Sequence, residues 1–330
     1  MKIVRIFCAI LLVFSMLFTI FVGKSKINEN VILEEKKEYK TVLSLWHVDS
    51  FEGGSGSRKQ FLLDASIAFE KQNPGVLIMV TSTSLGAIEN NLKNGVSPDI
   101  LSSGLGFNVS PTYSLSNENS FYGGKVGDRI YAKPWCRGNY FLISKKAEVL
   151  EEKNIENLIV SQGENNLPIL SLVMDGVCSK NAKILSPQKA YSEFLNDKNG
   201  VLLGTQRDIV RLNQRGYVFY YKPLSSYNDL YQYFYVLSND VSKGFYAEKF
   251  IDFVMGEIYQ DKLSKLQMLS IVKNVDCYEE IASAQNATIK STVSAFILPE
   301  KIEEAKRLCT LALAGDVSAE NKLKKLVVTP

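Results

Sequence analysis

Residues 44–62, SLWHVDSFEGGSGSRKQFL, place an indole, the chain's one histidine, two acids and a glycine cluster side by side. Three chemistries compete for such a stretch. A phosphate cradle would need the Gly-Lys-Ser/Thr ending of a P-loop or the glycine spacing of a dinucleotide site, and GGSGSRK has neither. Catalysis would need a base. His47 is the only imidazole, with Asp49 two residues on, but the chain has no Gly-x-Ser-x-Gly elbow and no second histidine to share a metal. Asp49 and Glu52 lie in one short loop, whereas glycoside hydrolysis needs carboxyls on opposite sides of the sugar bond. A binding lip uses all the residue types together. Gly53 and Gly54 let backbone N–H groups approach a ligand, Asp49 and Glu52 accept hydrogen bonds from hydroxyls, Arg58 donates, and Trp46 offers a flat apolar face. That combination suits a sugar, whose C–H face lies on a ring while its hydroxyl rim takes carboxylates, amides and guanidinium groups.

A second cluster of the same kind is KPWCRGNYF, with Trp135, Arg137, Asn139 and Tyr140. It predicts Trp135 stacking on the ligand; the alternative is a core tryptophan beside a proline turn. Arg137 and Arg207 also allow a different reading, bidentate capture of a carboxylate or phosphate.

The elements that must position these residues follow from hydrophobic pattern and punctuation. TVLSLW reads as a buried strand, and Ser57 with Gln60 has capping spacing for a helix carrying Phe61, Ala65, Ala68 and Phe69 inward until Asn73-Pro74-Gly75. VLIMV is a second strand, with Ser82 in the loop beyond it; Leu85, Ile88 and Leu92 mark a second helix ending at Gly95, and PDILSSG a third strand. Strands alternating with helices imply a parallel sheet, whose ligands bind beyond the carboxyl ends of the strands. Residues 107–127 lack period and read as a long crossing loop. RIYAKPW, NYFLIS, YVFYYKPL and YQYFYVLS then supply further strands, Ser186-Pro187 opens a helix, VLLGTQRDIVRL reads as a strand, a glycine turn and a helix start, and the carboxyl-terminal third is mainly helical.

Composition narrows the classes. The chain has 330 residues, enough for two lobes, and 38 basic against 35 acidic side chains, which lacks the footprint of a nucleic-acid binder. Lys2 and Arg5 precede an apolar run over 6–22, the layout of a signal peptide or short membrane anchor, and 24–40 reads as a charged tether. The body is therefore expected outside the cytoplasm. Cys136, Cys178, Cys277 and Cys309 are far apart with no CxxC, so they read by default as buried thiols, with one or two disulfides as the alternative. Nothing in the sequence calls for a metal or cofactor.

The ordered pieces LSLWHVDSFEGGSGSRKQFLLDASIAFEKQNPGV, SPDILSSG, YAKPWCRGNYFLISKK, NGVLLGTQRDIVRL and AEKFIDFVMGEIYQDKL resemble the extracellular solute-binding proteins of bacterial ABC importers, the family 1, sugar-binding type related to maltose-binding protein. The resemblance spans most of 41–269. It implies an α/β, two-lobed periplasmic-binding-protein-like fold of class II type, with a ligand cleft between the lobes and a helical carboxyl-terminal region. Residues 41–106, with a return from about 270–330, would form the first lobe, and 107–269 the second. Trp46 through Arg58 would match the first-lobe lip, Trp135 the aromatic platform, and Gly204 to Arg207, including Gln206, the second-lobe loop facing the cleft. The function implied is capture of a carbohydrate by a monomer with no chemical step, and delivery to a membrane permease. The alternatives are an anchored sensor or binder of an anionic solute, and an enzyme acting on surface glycans through His47, Asp49 and Glu52.

Overall fold

The computed structural model describes residues 39–48, 56–116, 123–272, 275, 277 and 279–327. The leader over 1–23 and most of the tether lie outside them. Among the described residues no helix is long and apolar enough to cross a membrane.

The amino-terminal succession forms as its pattern dictates. Strand β1 (Thr41–Val48) buries Leu43 and Leu45 on one side, the period-two signature of a sheet packed on a core. Helix α1 (Arg58–Gln72) starts where the Ser57 hydroxyl accepts from the Gln60 N–H, and it buries Phe61, Leu62, Ala65 and Phe69. It ends at Asn73, before Gly75 turns the chain with φ 91°. Strand β2 (Val76–Thr83), helix α2 (Leu85–Lys93) and strand β3 (Ile100–Ser103) follow, and both β2 and β3 pair with β1 in parallel. Asp99 locks the start of β3 to β1: its carboxylate accepts from the Ser44 N–H and hydroxyl at 2.8 and 2.9 Å and from Lys243 at 3.0 Å.

A small hairpin, β4 (Lys125–Val126) with β5 (Arg129–Ile130), leads into β6 (Ala132–Arg137). The chain then enters a second sheet through β7 (Tyr140–Ser144), β8 (Leu158–Ser161), β9 (Lys183–Leu185), β10 (Val201–Thr205) and β11 (Tyr220–Pro223), ordered β11-β7-β10-β8-β9. Its helices α3 (Pro168–Met174), α4 (Pro187–Asn196) and α5 (Gln206–Gln214) cover both faces. Phe141, Ile159, Phe194, Leu202 and Ile209 meet on one face; Leu142, Val160, Leu172 and Leu203 meet on the other.

The division of the chain differs from the sequence expectation. Strand β12 (Tyr231–Val236) returns to the first sheet, antiparallel to β3 and to β6, giving the order β2-β1-β3-β12-β6. Helix α6 (Val241–Met255) packs on that sheet with Phe250, Ile251 and Val254, and α7 (Glu257–Lys262) follows it. Thus β6, β12 and α6, which fall inside 107–269, belong to the first lobe. A short helix α8 (Ala282–Gln285) joins the second lobe's core through Ala284. Helices α9 (Pro299–Leu313) and α10 (Val317–Val327) share a core with α3, and the Ser179 N–H bonds the Leu313 carbonyl, so the carboxyl-terminal helices dress the second lobe rather than the first. Apolar periodicity announces a strand or helix, but not which sheet accepts it across a hundred residues of chain.

Trp135 is the sharpest correction. The pairing of β6 with β12 skips it: Cys136 faces Gln232 and Pro134 faces Tyr233, a bulge on an edge strand where proline's missing N–H is tolerated. The indole turns into the first-lobe core with no exposed surface, stacked between Phe61 and Phe234 at 5.4 and 5.6 Å, its Nε1–H donating to the Ser102 hydroxyl at 3.0 Å. It is a core residue and stacks on no ligand. Trp135→Ala should therefore cost about 3–5 kcal/mol of folding stability, seen as a lowered urea midpoint; an unchanged midpoint would contradict this packing role.

Candidate ligand-binding cleft

Between the sheets lies a cavity of about 660 Å³. Its first-lobe wall is built where β1, β2 and β3 end: Val48, Arg58 in the first turn of α1, Leu85 at the start of α2, and Gly104, Leu105 and Phe107 after β3. Its second-lobe wall is built where β8 and β9 end: Gln162, Gly163, Glu164, Asn165 and Asn166 after β8, then Ile184 to Gln188 running into α4. The walls approach at Gly106, whose φ of 85° favours glycine and where a Cβ would lie 2.7 Å from the Asn165 side chain.

The floor is where the chain passes between sheets. One crossing is Gly138-Asn139, between β6 and β7; another runs from Leu224 to Leu230, between β11 and β12; a third lies at Met268-Leu269. They hold each other by backbone pairing. The Gly138 N–H donates to the Leu230 carbonyl at 2.6 Å, and Arg137 and Leu269 exchange bonds of 3.0 and 2.9 Å. Asn139 Nδ2 donates to the Tyr140 and Leu224 carbonyls, and its backbone N–H to Gln206 Oε1 at 3.0 Å. Asp229 sits at the end of the second crossing. Its carboxylate accepts from the Tyr140 hydroxyl at 2.5 Å, the Leu167 N–H at 2.7 Å and the Tyr227 hydroxyl at 2.9 Å, so it ties the crossing to β7 and to the start of α3. Burial pushes this carboxyl above the usual carboxylate range, against the pull of those donors.

Of the residues singled out from sequence, Arg58 is in the cleft wall. Asp49, Glu52, Gly53 and Gly54 lie outside the described residues. Trp46 is half-buried on β1 and packs on the core that runs beneath both sheets, and Ser82 is half-buried on β2; neither lines the cavity. Arg137 is buried with Nη2 donating to the Ala284 and Gln285 carbonyls at 2.8 and 2.9 Å, so it caps α8 instead of holding an anion with Arg207. Tyr140 and Gln206 are buried in the floor, behind the wall, and Arg207 is half-buried in the first turn of α5 and outside the lining. His47 is buried, its Nδ1 at 3.0 Å from the Ser102 hydroxyl. Ser102 also accepts from Trp135 Nε1–H, so the imidazole, the indole and this hydroxyl form one buried polar contact within the first-lobe packing. Cys136 and Cys309 are buried, with the Cys136 thiol pushed up to about 12 by burial; Cys178 is exposed and Cys277 half-buried, and all four are free thiols.

Sequence reasoning missed the amide-rich wall. Its signal was present: QGENN directly follows the apolar run LIVS, a polar loop at the end of a parallel strand.

Comparison with solved structures places this arrangement. The sugar-binding protein MalE of Xanthomonas citri superposes with a TM-score of 0.60 at 13% identity, over 87% of this chain and 95% of that one. A family 1 extracellular solute-binding protein from Bifidobacterium longum subsp. infantis gives 0.58 at 13%, over 88% and 98%. The chain has the two-lobed fold of the family 1 solute-binding proteins. The galacto-N-biose/lacto-N-biose I-binding protein of the Bifidobacterium longum ABC transporter gives 0.54 at 12%, over 89% and 96%. No family model matches the chain, and no curated protein matches its sequence. In this solute-binding fold the cleft described above is the gap between the lobes.

Asp229 is the side chain on which its floor depends. Asp229→Ala strands two hydroxyls and one N–H in a buried site and should cost about 3 kcal/mol or more in urea unfolding. The raised pKa means that the folded chain holds this proton more tightly than the unfolded chain does. Stability therefore falls as pH rises from the usual carboxylate range through the raised value, and Asp229→Asn should remove that component of the pH profile. A profile identical in wild type and Asp229→Asn would contradict the assignment.

Proposed function

We propose that the protein captures a neutral, hydroxyl-rich solute, a mono- or oligosaccharide, between its lobes outside the cytoplasm and delivers it to a membrane permease without chemical change. The observation that carries this reading is the wall chemistry. Side-chain amides of Gln162, Asn165, Asn166, Gln188 and Gln232 surround the cavity, and Leu85, Phe107, Ile184 and Leu185 provide apolar surface among them. Amides both donate and accept, as hydroxyls do, and the apolar patches suit the C–H faces of a sugar ring. With Trp135 in the core, the aromatic residues at the cavity are Phe107 and Tyr231. Affinity comes from amide hydrogen bonds and apolar contact.

The neighbours' own ligands support the same class, since the proteins sharing this fold are described as binding lacto-N-biose, raffinose and acarbose. Closure on the solute requires that it bind the closed arrangement better than the open one, which contacts from both walls provide. The apolar leader over 1–23, as signal peptide or anchor, fits a capture step at the outer face of the membrane. A transport partner is part of this proposal and follows from the ABC-transporter setting of the lacto-N-biose binder.

A thermal-shift screen of saccharides on protein beginning at Thr41 tests the reading. A bound sugar at a hundredfold excess over its Kd should add about 2.7 kcal/mol of stability, and raising salt from 0.1 to 0.5 M should leave the shift in place. Stabilisation by charged solutes alone, erased by salt, would contradict it.

A further inference from the structure

Polar atoms in a cleft wall are normally met by protein or water. Two amides in this one are not. Asn166, in the loop after β8, is 5% exposed; its Oδ1 accepts from the Gly163 N–H at 2.8 Å, which fixes the amide's orientation, and its Nδ2 is buried with no hydrogen-bond partner. Gln232, on β12, is also 5% exposed, and its Oε1 is buried with no partner. Both residues line the cavity, whereas Ser179 and Tyr191, which also carry unmatched buried hydroxyls, do not. The two unmatched groups differ in kind and origin: a donor from the second lobe, and an acceptor from the first sheet, beside the bulge that breaks the alternation of β6 against β12.

We propose that Asn166 Nδ2 and Gln232 Oε1 are the specificity-determining contacts of the cleft, a donor and an acceptor from opposite lobes that are matched by hydroxyl groups of the bound solute. This rests on the carbohydrate reading above and sharpens it. A hydroxyl group both accepts and donates, so a polyol serves both atoms, whereas a carboxylate serves only the Asn166 donor and an ammonium only the Gln232 acceptor. Buried and unmatched, both amides disfavour this arrangement of the walls when the cleft is empty; entry of a solute, or parting of the walls to water, relieves them. Recognition and the tendency of the empty cleft to open then share one origin.

The test is calorimetric titration of wild type, Asn166→Leu and Gln232→Met with maltotriose, raffinose and lacto-N-biose, together with melting curves without sugar. These replacements keep the side-chain shape and remove the polar atoms. Wild type should bind at least one of the three; each variant should bind that sugar at least tenfold more weakly, with a sugar-free melting temperature equal to or above that of wild type. If Asn166→Leu unfolds because the Gly163 N–H loses its acceptor, Gln232→Met carries the test by the same two readouts. Wild-type affinity retained within twofold in the variants would overturn the pair and leave the carbohydrate reading standing. Binding of none of the three sugars by wild type would overturn that reading and the pair with it.

Discussion

The structure depends on a backbone constraint at the floor of the cleft: the chain passes between two sheets three times among the described residues, and every buried peptide group there needs a partner. Gly138, Leu230, Arg137 and Leu269 solve this by pairing with one another across the crossings. Their packing is close enough that a Cβ on Gly138 would lie 3.0 Å from the Gln206 side-chain oxygen. Asn139, Gln206 and Asp229 then satisfy what the backbone cannot. Because all three crossings converge, the loops at the ends of β1 to β3 and of β8 and β9 are held facing each other over one floor. The cleft is a consequence of that convergence.

A single apolar cluster runs beneath the floor, from Leu101, Tyr233 and Tyr235 of the first sheet to Leu142, Val160 and Leu203 of the second. The lobes thus share an apolar core that takes in Val48, Leu105 and Phe107 of the first-lobe wall, and the walls also approach at Gly106 and Asn165. Trp135 and His47 pack within the first sheet's core, and the walls carry amides, Arg58, Glu164 and apolar residues such as Leu85, Phe107 and Ile184.

Much of the fold was legible in the chain because its signals are local. The Ser57 cap, the apolar face of α1, the Asn73-Pro74-Gly75 stop and the strands beside them specify one another within a few residues, and they form as read. The sheet partners of β6 and β12 were not legible. Tyr231 to Val236 are buried on both faces, which tells of a central strand but not of which sheet. The site was less legible still. Trp135 looked like a platform because it follows a proline amid polar residues, yet that proline marks a bulge that turns the indole inward. Arg137 and Tyr140 carry the right groups for ligand recognition, but their partners, the Ala284 and Gln285 carbonyls and Asp229, come from distant crossings that only the fold reveals.

The central claim, that a solute is held between two walls that close on it, is tested most directly by small-angle X-ray scattering of the protein with and without a saccharide at full occupancy. The account predicts a larger radius of gyration for the empty protein than for the sugar-bound protein. An identical radius in both states, with occupancy established by calorimetry on the same sample, would contradict it.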